Sequence, residues 1–455
     1  MVSDRFSGMN RAFINPAYLF DSHYCLEFSP AIFHVGGQNN LFYFPRGRFN
    51  IDDLYREAIG RNGFSREDLM ENEGTYAWGN QYLRMQGPSV GFRINEHHFS
   101  ISTGYRSVGS GRHVPYHLIK FALEEFEFPP LQDIPVFEDI PMHIYGIGWL
   151  EIGASYATLI YDGGSSFWAA GITLKGLFAN YGIALSSEAI NYEISSSRHL
   201  TITNSSATLH AAIPVDYQTR EINPTGNWAM GRGYQLDLGV SYTHDLTDLR
   251  GRNRKRLNHL PDFPNYRYKV GFSLLDVGNI RLTRNIRQFI MDDATLFWEN
   301  PQLNTFDNAD QFFSELDSRL ETGTITRIEN EPFRVYLPTA VSLQGDYHVS
   351  GNFFAYAFIT QNLPHSGFKV ARPSQLGFVP RLETPFFSLM LPITLLNYEL
   401  PRMGMAARVG PVTIGAEQPG GLFNTNDFYG LDFYIALRWG ILDCGARYRG
   451  NPCFN

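Results

Sequence analysis

The feature that most constrains this chain is alternation with a period of two, sustained over segments of about ten residues or more. From Tyr429 to Trp439 the odd positions read Tyr429, Leu431, Phe433, Ile435, Leu437 and Trp439. The even positions read Gly430, Asp432, Tyr434, Ala436 and Arg438. Successive side chains of a strand face opposite sides, so this segment presents an apolar face with aromatic ends and a small or charged face. Tyr234, Leu236, Leu238, Val240 and Tyr242 oppose Gln235, Asp237, Gly239, Ser241 and Thr243 in the same way. Leu337, Val341, Leu343, Tyr347 and Val349 oppose Ser342, Gln344, Asp346 and His348. Phe99, Ile101, Thr103 and Tyr105 oppose Ser100, Ser102, Gly104 and Arg106. Strands of globular proteins average about five or six residues, whereas crossing a bilayer takes about nine to eleven tilted ones. Aromatic residues at both ends of the apolar face match interfacial girdles.

Composition agrees. Charged residues make up 18% of the 455 and aromatics 15%. Soluble domains carry roughly 25% charge, so a large soluble sandwich is short of charge for its outer face. A propeller would repeat every ~40–50 residues, and no such repeat is present. The net charge of −8 and the lack of a long basic run argue against a nucleic-acid partner. Arg252–Arg256 is a short basic knot that reads as a solvated turn. A membrane helix needs about 20 apolar residues, and the best run, Pro385–Leu396, has 12. The first residues have no apolar core, so a leader is absent as given and is expected to have been removed on export.

Strands are expected near 23–35, 81–94, 97–107, 144–161, 166–178, 232–245, 266–284, 333–349, 351–362, 374–383, 386–398, 402–410, 411–418 and 429–448. The fold class is therefore all-β: a 14-stranded antiparallel transmembrane barrel with a small N-terminal plug. An even strand count puts both termini on the periplasmic side. Residues 1–22 form the plug segment, 23–448 the barrel and 449–455 a periplasmic tail. Tight turns at Asn95–His97, Asp162–Ser165, Val349–Asn352, Glu383–Phe386 and Gly410–Pro411 alternate with long connections at 36–80, 108–143, 179–231 and 285–332. Shorter links fall near 363–373, 399–401 and 419–428. Long connections outside and short ones inside is the outer-membrane polarity. The exception is 246–265, a basic connection on the periplasmic side. The outer loops are expected to be partly helical. Asn50 and Ser65 precede helix-start patterns, Pro115–Phe126 has helical spacing, and Asn308 can cap a helix whose stripe is Phe312, Phe313, Leu316 and Leu320. That stripe either faces a partner protein or packs into a lid.

Asn15-Pro16-Ala17, just before the first strand, resembles the NPA of the N-terminal plug in the FadL long-chain fatty-acid transporter superfamily. Gly171–Leu177 (GITLKGL) resembles the GxxLKxL strand of Bacteroidota outer-membrane barrels of the PorV and SprF kind. Tyr234–Tyr242 (YQLDLGVSY) followed by Gly271–Leu282 (GFSLLDVGNIRL) is similar to the strand pair of a Bacteroidota family of FadL-like barrels. The resemblance implies a fourteen-stranded barrel with an N-terminal plug. It also implies residence in the outer membrane of a Bacteroidota-like Gram-negative bacterium.

A nucleophile elbow, HExxH, a Walker A loop and a dinucleotide fingerprint are all missing from the sequence. No enzyme, catalytic residue, cofactor or metal is expected. His97 and His98 sit at a turn and point to opposite sides. Asp292, Asp293 and Glu299 read as a solvated acidic loop. The inward faces carry Arg106, Glu151, Lys175, Asp237, Lys269, Asp346, Arg408 and Arg438. Facing lipid, an Arg or Lys at mid-depth would cost about 2–4 kcal/mol. Facing the lumen, these residues make either an ion-paired packed interior or a polar conduit. A closed barrel pairs its first and last strands, which brings Cys25 and Cys444 to one rim with Cys453 close behind. A disulfide among these three would clamp the seam.

Two functions are compatible with this sequence. One is an accessory or scaffold subunit of a multiprotein outer-membrane machine, of the type IX secretion or barrel-assembly type. The other is a passive transporter of hydrophobic small molecules. Expected partners are outer-membrane lipid, lipopolysaccharide and other outer-membrane proteins or lipoproteins.

Overall fold

The computed structural model describes residues 4–22, 24–48, 56, 70–72, 74–124, 133, 135–138, 140–163, 165–195, 199–215, 229–245, 266–300, 309–418, 427 and 429–443. Fourteen antiparallel strands close on themselves. In chain order they are β1 (Tyr24–Asn39), β2 (Tyr76–Gln86, then Ser89–Ile94), β3 (His97–Pro115), β4 (Met142–Asp162), β5 (Ser166–Ser195), β6 (Gly231–Asp245) and β7 (Tyr266–Leu282). They continue as β8 (Phe333–Tyr336, then Ala340–Ser350), β9 (Phe353–Asn362), β10 (Gln375–Glu383) and β11 (Phe387–Met390, then Ile393–Leu396). The last three are β12 (Leu400–Met403, then Met405–Val409), β13 (Val412–Ala416) and β14 (Gly430–Asp443). β14 pairs back onto β1, with Tyr24 opposite Asp443 and Gln38 opposite Gly430.

The alternation sorts two environments. Asp432, Tyr434, Ala436 and Arg438 of β14 are buried toward the lumen, while Trp439 and Ile441 are exposed on the outside. Ile101, Ile152, Leu174, Phe272, Leu343, Phe378 and Ile393 are exposed around the same outer belt. An apolar patch that encircles a molecule fits lipid, not water. At the short-turn rim, Trp168 lies 5.2 Å from Tyr242, and Tyr242 lies 6.0 Å from Tyr268, ring centre to ring centre. These rings form one arc of an interfacial girdle.

Several expected boundaries move. β2 starts at Tyr76 instead of 81 and β3 runs on to Pro115, because both climb above the belt. The connections expected at 179–231 and 285–332 are largely strand. β5 continues to Ser195 and pairs there with His199–Ala212, which pairs with Ile286–Glu299, which pairs with Leu320–Glu329. These segments build a sheet above the barrel. Its core is Tyr192, Ile194, Leu200, Leu296, Trp298 and Leu316. Leu316 lies on the helix Ala309–Ser318. It is buried in this layer, and Leu320 is half-buried where the next strand begins. The side chains of Phe312 and Phe313 lie outside the described residues. A second helix, Tyr116–Glu124, falls inside the expected 115–126. The helices expected after Asn50 and Ser65, the basic connection 246–265 and the tail 449–455 lie outside the described residues, apart from single positions.

The rim is uneven. β5 has 30 residues, whereas β10 has nine and β13 five. Cys25 is disulfide-bonded at the start of β1, and its two possible partners, Cys444 and Cys453, lie outside the described residues.

Candidate functional site: a plugged lumen

The plug is inside the barrel. Two short 3₁₀ segments, Arg5–Phe13 and Pro16–Asp21, fill the inner half of the lumen and are almost wholly buried. Asn15 caps the second segment by accepting from the Ala17 N–H at 3.0 Å. Pro16 begins it where no N–H is needed. The Asn15 amide then donates to the carbonyls of Val240 (3.1 Å) and Phe272 (3.2 Å) and to Gln344 Oε1 (3.0 Å).

The wall makes room for this docking with glycine. Gly171, Gly239 and Gly271 sit on neighbouring strands β5, β6 and β7. A methyl group at Gly171 would overlap the backbone of Pro16 and Ala17. One at Gly239 would meet Asn15 and Pro16, and one at Gly271 would meet Tyr18 and Asn15. The three strand motifs around GITLKGL, DLG and GFSLLD thus share one purpose: their glycines form the flat seat of Asn15-Pro16-Ala17.

Charge pairing holds the rest of the plug. Asp4 receives Arg408 Nε at 2.6 Å, Arg5 reaches Glu383 at 2.6 Å, and Asp21 accepts Lys269 Nζ at 2.6 Å. Arg438 donates to the Phe6 carbonyl and lies 3.4 Å from Glu27. Arg381 bridges Asp346 (2.8 Å) and Glu383 (2.6 Å). Halfway up, Lys175 pairs with Glu151 at 2.8 Å and Arg106 with Asp276 at 2.8 Å. Asp237 Oδ1 accepts the Asp276 backbone N–H at 2.6 Å. All eight inward charges named from the sequence are therefore buried in the lumen, and seven belong to ion pairs. Asp276, Arg381, Glu383 and Arg372 complete the network. The inward positions of Arg381 and Glu383 follow from alternation. Asp276 sits at a register shift with φ +53° and Arg372 lies in the link after β9, so neither follows from it, and the partners of all four are set by the fold.

Above this belt one part of the lumen wall is apolar. Ile147, Trp149, Leu177, Ile280, Leu282 and Val335 are fully or almost fully buried there. Near the outer rim, Arg402 lies 3.6 Å from Glu417. Burial first, then the nearby Asp432 carboxylate, push Glu417 up to about 7.

A small cavity lies between plug and wall. Its volume is about 20 Å³, room for about one water. Met9, Ala12 and Phe13 line one side; Gln86, Ser89, Ser100, Ser102 and Thr173 line the other. The cavity lies behind a defect in the wall. β1 and β2 pair at Ser29–Ser89 and again at Ile32–Gln86. Between those points Pro30 and Ala31 face Gly87 and Pro88 without pairing, and neither proline has an N–H to donate. Gly87 instead donates to the Thr103 carbonyl on β3 at 2.8 Å. Among the described residues no group of three or more side chains could hold a metal ion.

No curated protein matches the sequence. Solved structures are similar only at a low level. A TodX monoaromatic hydrocarbon channel (deltaS2 mutant) has a TM-score of 0.43 at 9% identity, covering 96% of this chain and 95% of that one. The toluene transporter TbuX of Ralstonia pickettii gives 0.33 at 7%, covering 93% and 91%. A FadL homologue of Pseudomonas aeruginosa gives 0.22 at 9%, covering 94% and 93%. A family model, described as a family of unknown function (DUF5723), matches residues 30–417. The match spans every strand from β2 to β13, and the chain belongs to that family.

Proposed function

We propose that this protein is an outer-membrane passage, closed at rest, for small hydrophobic molecules that carry one polar end. The observation that carries the reading is the position of the cavity. It lies between the movable element of the lumen, the plug at Met9–Phe13, and the unpaired stretch of wall at Pro30 and Gly87–Pro88. A plug shift of a few ångströms would join the lumen to that stretch, and a solute could leave sideways into lipid. The cavity lining is mixed: Met9, Ala12 and Phe13 offer apolar surface, and serine and threonine hydroxyls with Asn10, Lys175 and Asp237 offer partners for the one polar end.

The reading places the barrel in the outer membrane of a Bacteroidota-like bacterium, with lipid and lipopolysaccharide around the belt. The accessory-subunit reading has less support. It wanted an apolar helix face free for a partner, and Leu316 is spent on the protein's own outer layer.

The test is uptake of N-phenyl-1-naphthylamine into vesicles whose outer leaflet is lipopolysaccharide. Wild-type protein should raise the rate several-fold over protein-free vesicles. Pro88→Val restores an N–H to the ladder and should bring uptake close to the protein-free rate while leaving the heat-shifted gel band intact. Uptake no faster than in protein-free vesicles would end the passage reading.

A further inference from the structure

Residues 363–374 join the outer ends of β9 and β10, yet they turn inward. The Tyr336 N–H donates to the Phe368 carbonyl at 2.8 Å. The Ala371 N–H donates to Ser110 Oγ on β3 at 3.0 Å, and Arg372 Nη2 reaches Asp276 Oδ2 at 2.7 Å. The segment thus crosses the lumen from β9 and β10 to the opposite wall, above the charged belt. Val370 is 1% exposed and packs with Ile147, Leu282 and Val335.

Phe368 is held by rings. Its centroid lies 4.6 Å from His210, 5.9 Å from Tyr145 and 6.2 Å from Phe333. The three rings come from three separate elements: β4, β8 and the strand His199–Ala212. Tilted and edge-on rings at these distances favour a further aromatic ring between them. The outer part of the segment, before Phe368, is lightly tied, whereas Lys369 and Val370 are buried and Lys369 Nζ donates to the Leu363 carbonyl. Pro364–Gly367 is exposed, Gly367 has φ +110°, and the Arg372 side chain is 26% exposed. Elements with few buried contacts and half-solvated ties are the ones that open locally.

We infer that Phe368 is a built-in occupant of an aromatic-walled binding site in the outer lumen. A small molecule bearing a phenyl-sized apolar ring takes its place and so releases the 363–374 segment. The inference rests on the passage reading for its purpose, but its site is separate from the plug and from the wall defect. Release follows from population shift: the ring binds only the state in which Phe368 has left, and so raises that state's share.

The experiment uses the full-length protein in nanodiscs with 4-fluorobenzyl alcohol as probe. In wild type, saturating probe should speed amide hydrogen exchange at Tyr336 and Ala371 at least tenfold and leave the β4–β5 ladder unchanged. Phe368→Ala should bind the probe at least tenfold more tightly by fluorine NMR. A Ser110→Cys, Ala371→Cys pair should lose probe binding when oxidised and regain it when reduced. Unchanged exchange at Tyr336 and Ala371 in wild type would overturn the inference, and that measurement needs no variant to fold. Equal probe affinity in wild type and Phe368→Ala would overturn it too. None of these readouts involves uptake, so loss of the passage reading is scored separately.

Discussion

The carboxylate of Asp276 holds two guanidinium groups at once, Arg106 of the barrel wall at 2.8 Å and Arg372 of the in-folded segment at 2.7 Å. The two pairs differ in burial. Arg106 is 5% exposed in its side chain and Arg372 is 26% exposed. Asp276→Ala strands a buried guanidinium and should cost about 3–5 kcal/mol. Arg372→Ala, half-solvated, should cost about 0–1 kcal/mol. Denaturant unfolding of the refolded barrel, followed by the heat-shifted band, measures both; equal losses would contradict this assignment.

The Asn15 seat gives a second prediction. Asn15→Ala removes a cap and three amide contacts to the wall. It should loosen the plug by about 2–3 kcal/mol, since each buried group left unpaired costs about 1–3 kcal/mol. Gly239→Val should act the same way by overlap. Trypsin would then reach Arg5 and Arg11 while the barrel keeps its heat-shifted mobility. Continued protection of both sites would show that the plug does not depend on this seat.

At the seam, Cys25 is in a disulfide. Cys25→Ser should lower stability by about 2–4 kcal/mol. Reductant should lower the wild-type midpoint to the level of the variant and leave the variant where it was. A wild-type midpoint insensitive to reductant would remove the seam clamp from the account.

Near the outer rim, Glu417 is pushed up to about 7 by burial and by Asp432. A carboxyl whose folded value is raised favours the folded state fully below its unfolded value of about 4.5. That contribution is lost as pH rises through about 7. The melting temperature should therefore fall between pH 5 and pH 8, and Glu417→Gln should flatten this part of the profile. Identical profiles would mean that Glu417 is not the responsible group.

The outer layer has its own core, so Leu316→Ala should act locally. Removing a buried leucine costs about 2–5 kcal/mol. Amide exchange should quicken in Ile286–Glu299 and Leu320–Glu329, and the membrane strands should keep their protection. Global loss of protection would show that the layer and the barrel unfold together.

The barrel was legible because its wall separates two environments. The face of Leu431, Phe433, Ile435 and Leu437 meets lipid and the face of Asp432, Ala436 and Arg438 meets a polar lumen, so every second letter carries the contrast. Where β5 rises past Phe178 the contrast fades, because no lipid lies outside. Tyr181–Ile194 still alternates in places, but Ser186, Ser187, Glu188, Asn191 and Glu193 break the apolar face, and the segment reads as loop. The plug triplet was visible as a motif, and so were the three wall motifs. Their relation was not, because Gly171, Gly239 and Gly271 meet only through register across β5, β6 and β7. The in-folded segment had one faint local sign. Phe368, Val370 and the adjacent Lys369 are unusual in a short exposed link, and burial does lower the Lys369 ammonium from its usual value.

The uneven rim sets the direction from which the mouth can be reached. About nine to eleven tilted residues suffice to cross a bilayer, so β9 to β12 end at roughly headgroup level. β5 continues 16 residues beyond its last pairing with β6 at Ala179, on the order of 50 Å along the strand at about 3.3 Å per residue. On one side a molecule dissolved in the outer leaflet meets the lumen without leaving lipid. On the other it meets a standing sheet. If the barrel is the passage proposed above, access is lateral and one-sided: it would sample what has already partitioned into the membrane from the β9–β12 side.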